Sequence, residues 1–153
     1  MSISYRKFEP RDSTVLEQMA IDFYEEDTTM EKMSVEKVKM TIDSLTNNPD
    51  RWDILMIEAD GEVVWYSILI NFWSNEFGGN VLSIDEIYII PAFRRKSIGT
   101  NFIQYIIDSK FNNWVCINLL VSPHNESATK LYERIWFRKY RYDQLTFDGL
   151  TNT

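Results

Sequence analysis

The sequence has few of the residues that cross-link a chain, break its elements or anchor it in a membrane. A single cysteine, Cys116, rules out an internal disulfide and is compatible with a reducing compartment. The five glycines and four prolines lie mostly between predicted elements, and there are no internal repeats or low-complexity tracts. No apolar run approaches the ~18 residues of a membrane helix, and residues 1–11 lack the apolar core of a signal peptide. We therefore expect a cytoplasmic protein with no membrane partner, folded as a single domain over residues 1–153.

An excess of positive charge is also missing. The net charge of −7 argues against a nucleic-acid partner, which normally requires a basic surface. Residues 9–62 contain fifteen acidic and five basic residues, whereas residues 91–141 contain nine basic and three acidic ones. One part of the surface thus suits a cation and another an anion, although ordinary solvated faces would give the same counts. No His, Cys, Asp and Glu residues have metal-ligand spacing, so no metal site is predicted.

The apolar pattern predicts an α/β fold with a mixed, mostly antiparallel sheet of six to seven strands and about four helices. Strands are expected over residues 3–8, 52–58, 62–72, 81–90, 115–121 and 137–147. Helices are expected from Asp12 or Ser13 to Tyr24, and over residues 34–45, 98–111 and 125–135.

The order of these elements predicts how the strands pair. Asp60-Gly61 between two apolar runs is typical of a hairpin. The strand–helix–strand unit over residues 81–121 predicts a parallel pair, and the apolar run 115–121 is typical of a strand buried on both faces.

The link between the strand 81–90 and the next helix is the stretch richest in chemistry. Three cations, Arg94-Arg95-Lys96, precede the helix, and small residues follow at positions 97, 99 and 100. A helix N-terminus exposes about four unpaired backbone N–H groups and roughly half a positive charge. The stretch therefore predicts an anion site of the phosphate-binding type. The spacings of the Walker loop and of the Rossmann fingerprint are both absent.

Two motifs in this part of the chain resemble the GNAT superfamily of acetyl-CoA-dependent N-acetyltransferases. The first is Arg94-x-x-Ser97-x-Gly99, which follows the strand ending at Pro91, where the family has Arg/Gln-x-x-Gly-x-Gly/Ala. The second, about 30 residues later, is Asn125-x-x-Ala128-x-x-Leu131-Tyr132, followed by Phe137.

The sequence departs from the family pattern at two glycine positions. Ser97 replaces the first glycine of the phosphate motif; its amide can still donate, so we expect binding to survive. Trp136 replaces the glycine before Phe137, where a helix usually ends in a left-handed residue. Either the helix ends differently or the backbone at Trp136 is strained.

The resemblance implies acetyl-CoA as cosubstrate and a role for each matching residue. Amides of residues 95–100 would hold the pyrophosphate, and the strand edge at Ile87 and Ile89 would pair with the pantetheine arm. A bulge matching Ile89 would leave an amide for the thioester carbonyl, and Tyr132 would be the general acid. The implied acetyl-CoA contacts are Ile87, Tyr88, Ile89, Arg94, Arg95, Lys96, Ser97, Ile98, Gly99, Thr100, Asn125, Ala128 and Tyr132.

Five acidic residues are candidates for the acceptor side of the reaction. Asp85 and Glu86 interrupt an apolar strand, which is costly without a partner, and are the candidate catalytic bases. Strict alternation puts Asp85 on the face of Ile87 and Glu86 on the opposite face. A structural salt bridge is the alternative for each. Glu25, Glu26 and Asp27 are predicted in a loop that commonly walls the acceptor site in the family, with a solvated acidic loop as the alternative.

The leading functional prediction is an N-acetyltransferase for a small cationic amine, such as a polyamine or an aminoglycoside-like acceptor. The alternatives are a protein or peptide N-acetyltransferase and a non-catalytic acyl-CoA-binding module on the same fold. Phe72-Trp73 and Phe77 are compatible with a homodimer surface, a substrate lid or the core.

Overall fold

The computed structural model describes residues 1–27 and 29–147, which form two compact units. The first unit, residues 1–120, contains all five strands and three helices, and the second begins at Val121 and contains the fourth helix. The strands are β1 (Ile3–Lys7), β2 (Trp52–Ala59), β3 (Glu62–Ser74), β4 (Gly79–Ile89) and β5 (Trp114–Leu119). The helices are α1 (Ser13–Glu26), α2 (Val35–Thr46), α3 (Ile98–Asp108) and α4 (Glu126–Arg134). Within the described ranges, no helix is both long enough and apolar enough to cross a membrane.

The sheet has the order β1-β2-β3-β4-β5, with antiparallel pairs except for the parallel pair of β4 and β5. This confirms the α/β class, the mixed sheet, the four helices and the position of the parallel pair. The β2–β3 hairpin turns through Asp60 (φ 51°) and Gly61 (φ 88°), two left-handed residues whose twist matches that of the flanking strands.

The prediction of six to seven strands is wrong, because the described residues form five. Residues 137–147, predicted as the last strand, contain no strand and expose Tyr142, Leu145 and Phe147. Local alternation specifies a strand only where a neighbouring strand takes up its backbone hydrogen bonds, and no such pairing is formed by this segment within the described chain. The prediction that β5 is buried on both faces is also wrong, since Val115 is 51% exposed.

The helices of the first unit cover both faces of the sheet. Trp65 and Tyr66 are neighbours on β3, so their side chains point to opposite faces, and both are fully buried. Tyr66 belongs to the apolar cluster formed with α1 and α2, whereas the Trp65 ring lies 4.9 Å from the ring of Phe102 on α3. At the far end of the β3–β4 hairpin, Trp73 is 68% exposed, so the interpretation of this stretch as core is wrong.

A part-buried ion pair fixes the start of α1 to the edge of the sheet. The guanidinium of Arg6 on β1 donates to both carboxylate oxygens of Asp12, at 2.7 and 2.9 Å, and the amide of Glu9 donates to the same group at 2.8 Å. These contacts lower the pKa of Asp12, with the hydrogen bond from Arg6 as the largest cause. Asp12 therefore stays ionised and holds the helix that carries several of the site residues described below.

The end of α4 shows how the chain accommodates Trp136 at the glycine position. The amide of Phe137 donates to the carbonyl of Tyr132 at 3.0 Å, and that of Trp136 donates to Glu133 at 3.2 Å. The rings of Tyr132 and Phe137 lie 5.8 Å apart, which completes a Schellman motif with its apolar contact. Trp136 occupies the left-handed position (φ 73°) and is 93% exposed. The helix thus ends as the family pattern predicts, and the backbone at Trp136 is strained.

Replacing Trp136 by glycine should stabilise the protein by about 1 kcal/mol, because glycine adopts a positive φ without the steric penalty of a Cβ atom. Little burial is lost, since the indole is almost fully exposed. Urea unfolding followed by circular dichroism measures the change. Trp136→Ala is the matched control: it removes the ring and keeps Cβ, so it should gain almost nothing. Equal stabilisation by alanine and glycine would contradict the strain at this position.

Candidate active site

Strand β4 extends beyond the point where its pairing with β5 ends. The last parallel pair joins Ile84 to Leu119, and β4 continues to Ile89. On the other side, the amide of Ile90 donates to the carbonyl of Val64 at 3.1 Å, at the end of the ladder with β3. Antiparallel ladders alternate the direction of successive amides, so the amides of Ile87 and Ile89 point away from β3. They lie on the edge of β4 that is unpaired beyond the end of β5.

A bulge sits at Asp85 in the β3–β4 ladder. Ile68 pairs with Glu86 and the next residue, Leu69, pairs with Ile84, so Asp85 is the extra residue. Ile87 and Ile89 pair regularly with β3, so the bulge on this side is four residues before the position expected from the family. Because an inserted residue breaks the alternation, the face of Asp85 does not follow from counting along the strand.

The carboxylate of Glu86 is held by two tyrosines. Tyr24 on α1 donates to Oε1 at 2.5 Å, and Tyr66 on β3 donates to Oε2 at 2.9 Å. Burial raises the pKa of Glu86, the two hydrogen bonds oppose the rise, and the charge of Asp85 adds to it. Burial also raises the pKa of both tyrosines, with Glu86 as a further cause, so their hydroxyls remain donors at neutral pH.

Asp85 lies near this cluster without being bound by it. Its side chain is exposed, and within the described ranges it makes no hydrogen bond or ion pair. Its charge contributes to the raised pKa of both Glu86 and Tyr24, and partial desolvation raises its own pKa. The structure thus brings together two carboxylates in different surroundings: one fixed by hydroxyl groups and one free to meet a ligand.

The turn before α3 presents a run of free backbone amides. Arg95 (φ 61°) and Ser97 (φ 58°) are both left-handed, and the first helical bond runs from the amide of Asn101 to the carbonyl of Ser97. In the part of the chain that the structure describes, the amides of residues 95–100 donate to no carbonyl or side chain. Ile98 is 1% exposed and anchors the helix start, while residues 94–97 are at the surface.

Arg94 ties this turn to the end of β4 and to the end of α1. Its Nε donates to the carbonyl of Ile89 at 2.8 Å, and its Nη2 lies 2.5 Å from Oε1 of Glu26. The guanidinium also lies over the ring of Tyr88, 5.5 Å from its centroid. Burial, Glu26 and Asp22 raise the pKa of Tyr88, and Arg94 opposes the rise.

The three acidic residues predicted in a loop belong to the end of α1. Glu25 and Glu26 lie in its last turn and Asp27 is its C-cap, so the loop prediction is wrong for the two glutamates. Oδ1 of Asp27 accepts from the amide and the hydroxyl of Thr29, at 2.9 and 2.6 Å.

The sequence interpretation missed Tyr24 and Tyr66, because a tyrosine among apolar residues is usually part of the core.

The second unit positions the residues of the second motif. Asn125 is the N-cap of α4, and its Oδ1 accepts from the amide of Ala128 at 3.1 Å. This bond gives the asparagine a structural role in starting the helix. Tyr132 is half-buried against Phe137, and burial raises the pKa of its hydroxyl group. In the described residues, no group of three or more His, Cys, Asp or Glu side chains could hold a metal ion.

Comparison with known proteins identifies the family. Residues 14–136 match the model of the Acetyltransferase (GNAT) family. Three solved structures share the fold. A possible acetyltransferase from Clostridium difficile 630 is 21% identical with a TM-score of 0.82, covering 97% of this chain and 98% of its own. Ribosomal-protein-alanine N-acetyltransferase from Brucella melitensis biovar Abortus 2308 is 17% identical with a TM-score of 0.76, covering 97% and 100%. Aminoglycoside N-acetyltransferase AAC(6')-Iy in complex with CoA is 12% identical with a TM-score of 0.77, covering 97% and 95%. The matched model spans most of the chain, which is therefore a member of the GNAT family of acetyltransferases, enzymes that use acetyl-CoA.

Proposed function

We propose that this acetyltransferase moves the acetyl group of acetyl-CoA to the primary amine of a small cationic acceptor of the polyamine or aminoglycoside type. The observation that carries the proposal is the pair of carboxylates, Asp85 and Glu86, beside the acidic last turn of α1. Tyr24 joins α1 directly to β4 through its hydrogen bond to Glu86. A positively charged acceptor would offset the hydration that these carboxylates lose on partial burial.

The charges around the pair favour a cation over a neutral peptide. The last turn of α1 contains Glu25 and Glu26 and no basic residue, and negative charge at a helix C-terminus is unfavourable by itself. Asp22 adds to the negative field at Tyr88. A ligand with two or more ammonium groups would relieve this repulsion, and the structural likeness to an aminoglycoside acetyltransferase is compatible with such an acceptor.

Acetyl-CoA fits the open edge of β4 and the turn that follows it. The free amides of Arg95, Lys96, Ser97, Ile98, Gly99 and Thr100 would hold the pyrophosphate, and the side chains of Arg95 and Lys96 add positive charge. The amides of Ile87 and Ile89, which point away from β3, would pair with the pantetheine arm. Tyr88, the proposed contact between them, has its side chain on the opposite face of the strand from those of Ile87 and Ile89. Ala128 and Asn125 remain the proposed contacts from the second unit.

The reaction needs three proton transfers. An ammonium group cannot attack, so a base must first take its proton; the amine nitrogen then bonds to the acetyl carbon, and the C–S bond of the thioester breaks. The leaving thiolate takes a proton from an acid, and the nitrogen releases a second proton, which restores the acid, as it becomes the amide. We assign the base to the Asp85–Glu86 pair and the acid to Tyr132, each worth ~10²–10⁴-fold in rate.

The two carboxylates differ in what they can offer the amine. The tyrosine hydroxyls donate to both oxygens of Glu86 and hold its carboxylate in one orientation. Asp85 is exposed at the bulge and is free to approach an acceptor. The proton acceptor is one member of this pair, acting directly or through a water molecule, and the other holds the cation.

A protein or peptide N-acetyltransferase is the second candidate, favoured by the shared fold with a ribosomal-protein-alanine N-acetyltransferase. A non-catalytic acyl-CoA-binding module is the third, favoured only by the departure from the family pattern at Trp136.

Thiol release from acetyl-CoA should be fastest with polycationic amines. The sharpest comparison is 1,4-diaminobutane against n-butylamine, which differ by one ammonium group, with spermidine, an aminoglycoside and an alanine-ended peptide beside them. We expect kcat/KM to favour the diamine by about tenfold at low salt and less at high salt, because salt screens exposed charges. Faster turnover of the peptide would support the second candidate. Binding of acetyl-CoA without turnover of any amine would support the third.

Tyr132→Phe should keep coenzyme A affinity and lower kcat by ~10²-fold or more, because the phenyl ring packs as before and has no proton to give. Isothermal titration with coenzyme A and steady-state kinetics measure the two effects. Tyr142→Phe is the matched control, since Tyr142 is 65% exposed in the same unit and should leave both values unchanged. An unaltered kcat in Tyr132→Phe would remove this residue from the mechanism.

Tyr24→Phe should raise the pKa of Glu86, because it removes a hydrogen bond that favours the ionised carboxylate while the burial remains. The acid limb of the kcat/KM profile should then move to higher pH, since the ionised form is needed. Tyr66→Phe should act in the same direction, and Glu86→Gln should abolish that titration. A carbon-13 titration of the Glu86 carboxyl carbon measures the pKa directly, and an unchanged value in both tyrosine variants would refute the role of the two hydroxyls.

A further inference from the structure

The last turn of α1 contacts the turn before α3 through the side chain of Glu26. Its carboxylate binds Arg94 at 2.5 Å, and Arg94 in turn binds the carbonyl of Ile89 at 2.8 Å. Arg94 therefore joins three elements: the end of α1, the end of β4 and the start of the turn.

The residues next to Arg94 are costly to hold in place. Arg95 and Ser97 adopt left-handed conformations that cost about 1–2 kcal/mol each for residues with a Cβ atom. Such conformations persist when the surroundings determine them. The buried side chain of Ile98 fixes the turn at one end, and the contacts of Arg94 fix it at the other.

We propose that Glu26 is a positioning residue for acetyl-CoA: by holding Arg94 it sets the turn whose amides, residues 95–100, receive the pyrophosphate. Glu26 then acts through Arg94 on the cosubstrate, and it does not contact the acceptor amine. The inference rests on the proposed pyrophosphate site and assigns Glu26 away from the acceptor wall, leaving Glu25 and the Asp85–Glu86 pair on that side.

Loss of the Glu26 charge should change coenzyme A affinity in the direction opposite to that expected for a surface charge with no positioning role. A carboxylate near a pyrophosphate site repels the ligand, so removing its charge alone would strengthen coenzyme A binding. A carboxylate that orders the site has the opposite effect, because its loss lets the turn leave the conformation that presents the amides. An exposed or half-exposed ion pair contributes at most about fivefold in affinity.

Glu26→Gln and Glu25→Gln form a matched pair for the test. Both remove one negative charge from the same helical turn, and within the described ranges Glu25 makes no hydrogen bond or ion pair. Isothermal titration of the full chain with coenzyme A needs no acceptor. We expect Glu26→Gln to weaken binding about threefold to fivefold and Glu25→Gln to leave it unchanged or slightly tighter.

Two further measurements separate positioning from other roles. In an Arg94→Met background, Glu26→Gln should cause no additional loss, because its partner is gone. In steady-state kinetics, Glu26→Gln should raise KM for acetyl-CoA and leave KM for the amine unchanged.

The outcomes distinguish the inference from the proposed site. If the unaltered chain fails to bind coenzyme A, the pyrophosphate site itself is wrong. If the chain binds and the two glutamine variants behave alike, the positioning role of Glu26 is wrong. A rise in the amine KM alone would return Glu26 to the acceptor wall.

Discussion

The separation of β4 from β5 after Ile84 is the constraint on which the rest of the site depends. A parallel pair that continued to Ile89 would use the outward amides of β4 and leave no edge for a ligand. Because β5 ends at Leu119, the amides of Ile87 and Ile89 stay free on one side while β3 holds the strand on the other. The same strand end leads into the turn before α3, so the open edge and the free amides of that turn are consecutive in the chain.

The two carboxylates on β4 acquire different properties although they are adjacent. Glu86 alternates regularly with Tyr88, which packs in the apolar cluster with α1, and there Tyr24 and Tyr66 supply the hydrogen bonds that a half-buried carboxylate requires. Asp85, at the bulge itself, stays exposed and unbound within the described chain. Adjacent residues of the same chemical type thus become a fixed charge and an accessible one, a difference that suits the two proposed tasks of holding a cation and removing a proton.

Strain and compensation recur at the two places where the chain departs from the glycines of its family. Ser97 takes a left-handed conformation inside a turn fixed by Arg94 and Ile98, and Trp136 takes one at the end of α4, inside a Schellman motif closed by Tyr132 and Phe137. At Ser97 the carbonyl still accepts the first helical hydrogen bond of α3, and at Trp136 both hydrogen bonds of the Schellman motif are formed. Both residues are exposed to solvent. The local geometry is therefore a property of the backbone contacts, and glycine is its least costly occupant.

The family, the order of four helices, the β2–β3 hairpin, the parallel crossover and the exposed turn before α3 were all predictable from the sequence alone. These follow from apolar periodicity, turn residues and motif spacing, which are local and survive without knowledge of packing. Tertiary contacts were needed to establish that residues 137–147 form no strand, that Glu25 and Glu26 lie on α1, and that the bulge falls at Asp85. They alone supplied Tyr24, Tyr66 and the Glu26–Arg94 pair. Strand pairing, bulge position and ion pairs join residues distant in the chain, and no local pattern records which distant group will satisfy a given carboxylate or amide.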